Sequence, residues 1–316
     1  MKKALKKTLI VFAIALAAFI LVCIGGGLYM LNYALSPGAY NEEELIAEYK
    51  AEYPQMGVWL DSLNAANAMQ SITFIDKNGA MLHARYVMAD SATDKTAVLI
   101  HGYKDSSIMM LSIGEMYHHQ LGFNILIPDL YAHGRSQGDH IRMGWLDRKS
   151  VLEWINIADS VFGGNTKMVI HGISMGGATT MMTSGENTPD CVKCFVDDCG
   201  YASVWEQFGK ELEEDFGLPR FPLLSIANMF CDMKYGWDFK EASALEQVKK
   251  CNKPMLFIHG DNDDYVLTEN VYSLYEAKSE PKELWIASNT DHAHAYKYHP
   301  KEYAELVKSF TDKYLK

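Results

Sequence analysis

Positive charge is scarce in this chain. Lysine and arginine number 29 against 40 acidic residues, for a formal net charge of −11. Four of those cations, Lys2, Lys3, Lys6 and Lys7, crowd the first seven positions, and without them the remainder carries about −15. No basic tract or nucleic-acid motif interrupts that balance. It argues against nucleic acid as a partner and for a solvated acidic surface. Repeats and low-complexity tracts are also missing, which excludes a repeat array. Cysteine is sparse: Cys23 sits in an apolar run, leaving Cys191, Cys194, Cys199, Cys231 and Cys251. Five thiols cannot all pair within one chain. The C-x-x-C of "CVKCFVDDC" opens a strand-like run, and residues three apart on a strand face opposite ways, too far apart for a disulfide. Buried structural thiols are the expectation.

What the chain does have is a long apolar run near its start. From Thr8 to Tyr40 there is no charge, and the apolar part, roughly Leu9 to Leu31, is long enough to cross a bilayer as a helix. A cleaved signal peptide has a shorter core and a small-residue site after it, and no convincing A-x-A site follows here. A lipoprotein signal at Cys23 fits poorly, because Val22 occupies a position that calls for a small residue. The expectation is an uncleaved signal anchor. Its lysines stay in the cytoplasm, so a single-pass cell-membrane protein presents everything after Asn32 outside. Gly25, Gly26 and Gly27 suit either close helix packing or a flexible exit from the membrane.

At 316 residues, nearly half of them hydrophobic, the chain can hold one large domain plus an appendage. We assign 1–35 to the basic tail and anchor, 36–69 to a charged helical connector, and 70–316 to the body. Eight strands are predicted, at 71–75, 82–89, 96–102, 123–129, 167–173, 192–198, 254–260 and 282–288. The first two flank "DKNGA" and form a hairpin. The others are near-continuously apolar and separated by helix-length segments, which predicts a mostly parallel sheet covered on both faces. The stretch 202–242 is longer than a normal crossover and reads as a small helical cap. "YHHQ" (117–120) reads as a solvated helix end, and "GW" (144–145) as the start of a helix with Asp147 in its first turn. Met109, Met110, Met181 and Met182 read as core filler.

The chemistry centres on "KMVIHGISMGGATTMM". Gly172-Ile173-Ser174-Met175-Gly176 fits G-x-S-x-G, with a strand before it and a helix after. At such a turn the serine is held in a strained backbone, and bulky flanking residues would clash with strand and helix. Ser174 is the candidate nucleophile, and the Met175 amide at the helix start can donate to an oxyanion. "LIHGY" ends an earlier strand in a tight turn, so the Tyr103 amide is the second candidate donor. Serine needs a base. "FIHGDNDDYV" supplies Asp261, Asp263 and Asp264; "ASNTDHAHAYKYHP" supplies Asp291, His292, His294 and His299. Asp129 and His133 of "PDLYAHGRSQG" are expected to support the loop beside the pocket. A metal site built from "DHAH" and His299 competes for residues the base already needs.

From about residue 70 onward the chain resembles the α/β-hydrolases, particularly membrane-anchored or exported ones of Gram-positive bacteria. "HGY", "DLYAHGRSQG", "GISMGG", "HGDNDDYV" and "DHAHAYKYHPKEY" stand in that superfamily's order. The resemblance implies the α/β-hydrolase fold and a Ser-His-Asp mechanism with no metal or organic cofactor. In the family's H-G-x-x-D motif the acid lies four residues after the histidine, which matches Asp263. Its catalytic histidine precedes a short stretch ending in E-Y, which matches His292 before Glu302-Tyr303. The family often has proline where this chain has Leu267, so Asp264 and His294 stay open. Carboxylic-ester hydrolysis on a small-molecule acyl substrate is the expected activity. A peptidase or acyltransferase of the same fold is the alternative, and a silent hydrolase-like binding protein is the alternative of another class.

Overall fold

The computed structural model of the chain describes residues 2–316. Helix α1 (Lys2–Leu35) leads into α2 (Glu42–Glu52) and α3 (Pro54–Ala65). The body follows as β1 (Gln70–Ile75), β2 (Met81–Val87), β3 (Lys95–Ile100), α4 (Leu111–Glu115), β4 (Asn124–Pro128) and α5 (Asp147–Val161). It continues as β5 (Lys167–Ile173), α6 (Met175–Ser184), β6 (Val192–Asp198), α7 (Val204–Glu214), α8 (Arg220–Tyr235) and α9 (Ala244–Val248). Last come β7 (Met255–Gly260), α10 (Glu269–Ala277), β8 (Lys282–Ala287), α11 (Ala295–Tyr298) and α12 (Pro300–Tyr314).

All eight predicted strands form, in the order β1-β2-β4-β3-β5-β6-β7-β8. The β1–β2 hairpin closes where Asp76 Oδ1 accepts the amides of Asn78 and Ala80, each at 2.9 Å. Strand β2 also runs antiparallel to β4; every later pairing is parallel. A parallel sheet must bury both faces, and two apolar clusters do so here. One holds Trp154, Met181, Phe195 and Trp237, the other Trp59, Ile113, Tyr117 and Phe310. This is the α/β-hydrolase fold, and it aims the C-terminal ends of β3, β5, β7 and β8 at one edge.

Three expectations need correction or refinement. The connector is two helices, and the second buries Met56, Trp59, Leu60 and Leu63 in the core rather than merely lying against it. "YHHQ" is not a solvated helix end. Tyr117 and His118 are buried in a π-helical turn, where His118 Nδ1 accepts from Trp59 Nε1 at 3.1 Å and His118 Nε2 donates to the Met88 carbonyl at 3.0 Å. Apolar neighbours with matching polar atoms made burial possible there. Helix α5 begins at Asp147, after "GW" rather than at it.

Helix α1 has two characters. Leu9, Val11, Phe12 and Ile14 are exposed, whereas Leu31 and Leu35 are buried in the core. Its most apolar 18-residue window has a mean hydropathy of 2.9, and 6% of that window is buried. The helix is therefore long and apolar enough to cross a membrane, and it is not a core helix of the body.

The segment between β6 and β7 carries α7 and α8. Its stem is pinned by a bridge between Ser203 and Ser243, by Val204 N–H to the Ala242 carbonyl (2.9 Å) and by Leu245 N–H to the Ala202 carbonyl (3.0 Å). Both helices that start at this stem carry S-x-x-E. Ser203 Oγ caps α7 by accepting from Glu206 N–H, and Ser243 Oγ caps α9 by accepting from Glu246 N–H, each at 3.2 Å. Buried Val204, Phe208 and Leu212 recur at helical spacing and turn one stripe of α7 onto the sheet's C-terminal edge.

Candidate active site

Ser174 sits between β5 and α6 with φ 58° and ψ −120°, a conformation that costs on the order of 1–3 kcal/mol for a residue with a side chain. Its amide donates to the Asp198 carbonyl at 2.8 Å, which holds the turn. The flanking glycines are sterically required. A Cβ on Gly172 would lie 2.0 Å from the Gly176 carbonyl oxygen, and one on Gly176 would lie 2.0 Å from that of Ile100. Strand and helix thus meet backbone to backbone and lift the serine side chain clear.

Two late loops converge on it. His292 Nε2 lies 2.8 Å from Ser174 Oγ, positioned to accept its proton, and His292 Nδ1–H donates to Asp263 Oδ2 at 2.7 Å. The other carboxylate oxygen accepts the amides of Tyr265 (3.0 Å) and Val266 (2.9 Å). The loops are stitched together: Thr290 N–H reaches Asp261 Oδ1 at 3.1 Å, and Asn262 N–H reaches the Thr290 carbonyl at 3.0 Å. Asp264 is exposed, and His294 Nδ1 pairs with Asp291 at 2.6 Å instead. Of the open alternatives, the geometry brings Asp263 and His292 to Ser174.

Asp263 is 5% exposed, and burial alone would raise its pKa; hydrogen bonds from His259 and His292 outweigh this and bring it down to about 2. His259 had no role in the sequence reading. It is fully buried near the end of β7, with Nε2 2.8 Å from the Val266 carbonyl and 3.1 Å from Asp263 Oδ2. The histidine of H-G-x-x-D was the available signal, since four residues separate it from the acid. Tyr265 was also missed; its ring stands 5.0 Å from the His292 ring, centroid to centroid.

Tyr103 and Met175 both line the small cavity at Ser174, with Tyr201 and Tyr265. The turn carrying Tyr103 is held by two histidines. His101 Nδ1 donates to the Gly102 carbonyl (2.8 Å), while its Nε2 accepts the Leu130 amide (2.9 Å). His133 Nδ1 donates to the Tyr131 carbonyl (2.8 Å), while its Nε2 accepts the Lys104 amide (3.2 Å). Each ring needs one bare nitrogen, and burial lowers both pKa values, His133 to about 3. Asp129 supports the same loops through the Ser107 and Arg135 amides and His83, hydrogen bonds that overcome its burial and bring its pKa down to about 2.

Metal-ligating atoms within 4.8 Å of one another occur on Cys199, Asp263 and His292, and two of these are already joined in the hydrogen-bond chain to Ser174. The histidines of "DHAH" and His299 divide: His292 faces Ser174, while His294 and His299 turn to Asp291 and the Ser288 carbonyl.

Comparison with known proteins agrees with this architecture. A family model described as the prolyl oligopeptidase family matches residues 146–316, a span containing Ser174, Asp263 and His292. An uncharacterized Bacillus subtilis protein, YqkD, is 32% identical over 227 residues, 72% of this chain and 74% of that protein. Among solved structures, a Pyrococcus furiosus esterase superposes with a TM-score of 0.65 at 19% identity, covering 90% of this chain and 99% of its own. Est1E from Butyrivibrio proteoclasticus, solved with ferulic acid bound, gives 0.61 at 23% identity, covering 77% and 98%. The solved structures share the fold, and the family match spans more than half the chain. The chain belongs to the prolyl oligopeptidase family, within the α/β-hydrolases.

Proposed function

We propose that this protein is a serine hydrolase that cleaves a carboxylic ester through Ser174, His292 and Asp263. The observation that carries the reading is the unbroken relay from Asp263 Oδ2 through His292 to Ser174 Oγ, mounted on a strained elbow. Ser174 Oγ attacks the carbonyl carbon as its proton passes to His292 Nε2. Asp263 holds the imidazole's orientation and stabilises the imidazolium. The amides of Met175 and Tyr103 receive the oxyanion. His292 then protonates the departing alcohol. Water, deprotonated by His292, releases the acid from the acyl-enzyme and restores Ser174. The Pyrococcus furiosus esterase among the structural neighbours supports ester over amide. The family's description as oligopeptidase supports amide cleavage as a second reading.

We further propose that α1 is a retained anchor rather than a removed signal, with the lysine end cytoplasmic and the body outside. Its last turns are structural: Tyr103 Oη donates to the Ala34 carbonyl at 2.6 Å, and Ile141 N–H donates to that of Leu35 at 2.8 Å. A fluorophosphonate probe should label the full chain in detergent and fail on Ser174→Ala. p-Nitrophenyl esters should turn over with the same dependence. Turnover confined to peptidyl anilides would move the assignment to a peptidase, and no labelling of folded wild type would leave only a binding role.

A further inference from the structure

The site's cap and the apolar helix are one assembly, and the space between them is hollow. A small apolar recess lies between Met30, Leu31 and Ala34 of α1 and Leu212, Leu224 and Ala227 of the cap. Phe208 and Glu211, one turn apart on α7, border both this cavity and the smaller one at Ser174. These two side chains therefore stand between the hollow and the cavity at the serine. Glu211 is the carboxylate in an otherwise apolar wall. Its Oε1 accepts from Gln207 Nε2 at 3.0 Å, and its burial raises its pKa.

The other end of the hollow faces the apolar seam. Helix α8 runs beside α1, with Leu223 against Gly26 and Ile226 against Gly27, and a further recess lies lower on the same seam between Ile20, Cys23, Phe221 and Ile226. On α8 Phe221 is 78% exposed and Met233 72%, beside an equally exposed apolar α1. Such a continuous apolar surface has its counterpart in lipid rather than water. A peptide in this hollow would leave its amides without partners, whereas an alkyl chain has none to satisfy.

We propose that the cavity between α1 and the cap is a groove for the fatty acyl chain of a bilayer lipid ester, which it admits from the membrane toward Ser174. The proposal rests on reading Ser174 as the nucleophile of an esterase. Phe208 and Glu211 form the partition that an entering chain displaces.

Two measurements on the full-length chain test it. In detergent, Leu224→Trp should lower kcat/KM for p-nitrophenyl palmitate by about tenfold or more and leave p-nitrophenyl acetate unchanged. Equal losses on both esters, or no loss on either, would overturn the groove. Independently of turnover, Ser174→Ala should be reconstituted in phosphatidylcholine vesicles containing a phospholipid with a diazirine at its acyl terminus. Irradiation should crosslink Met30 or Leu212, and adding Leu224→Trp should remove those adducts. Absence of adducts at these positions would overturn the groove even if esters are cleaved. Adducts in a protein that cleaves no ester would keep the groove and sink the esterase reading.

Discussion

At the scale of single residues, the relay depends on a carboxylate kept ionised inside the protein. Asp263 has a pKa held near 2, below the ordinary carboxylate value, so its contribution to stability is present above that ordinary range. It is lost as pH falls through about 2. Asp263→Asn should therefore flatten the stability curve between about pH 4 and pH 2, removing about 2 kcal/mol of pH dependence, read by denaturant unfolding at stepped pH. The same substitution should lower kcat by about 10⁴, because it favours the wrong imidazole tautomer. His292→Ala should abolish ester turnover, whereas His294→Ala should change it little. Equal losses in the two variants would reverse the histidine assignment. Motif spacing favoured His292 but left His294 open, because residues two apart are equally close to any partner until the loop's path is known. Ala293 between them has φ 62°, which turns one ring to Ser174 and the other to Asp291.

At the scale of elements, the seam between α1 and α8 is set by small residues. A Cβ on Gly27 would meet Ile226 Cγ2 at 2.5 Å and the Ala227 amide nitrogen at 3.2 Å, while one on Gly25 meets nothing within 4 Å. Intrinsic propensity favours alanine over glycine in a helix by about 1 kcal/mol at either position. Gly25→Ala should thus be neutral or stabilising, and Gly27→Ala should cost about 1–3 kcal/mol through overpacking. Thermal unfolding in detergent, with limited proteolysis of the cap, separates the two outcomes; matching Tm values would show that the seam is loose. The strands were legible in advance because apolar runs of this length bounded by turns have few other uses. The π-helical burial of His118 was not, since its partners Trp59 and Met88 come from distant segments.

At the scale of the whole molecule, the apolar helix is a wall of the folded body as well as a candidate span. A chain beginning at Tyr40 would lose Leu31 and Leu35, two buried leucines each worth about 1.5–3 kcal/mol, and the support of Tyr103 at Ala34. We expect it to melt several degrees below the full chain in the same detergent and to bind more of a hydrophobic dye through its uncovered cap. An unchanged Tm would mean that α1 only tethers the body.

Sequence alone determined what local patterns can carry: eight strands, an elbow serine between a strand and a helix, a long apolar helix, and late loops rich in acid and histidine. Tertiary structure decided which acid and which histidine meet Ser174, what His259 does, and that α1 and the cap enclose a common hollow. Strand periodicity and turn chemistry are written within a few neighbouring residues. Convergence across 118 positions, as between Ser174 and His292, depends on how the sheet orders its strands and where the loops are tied, and no local pattern states that.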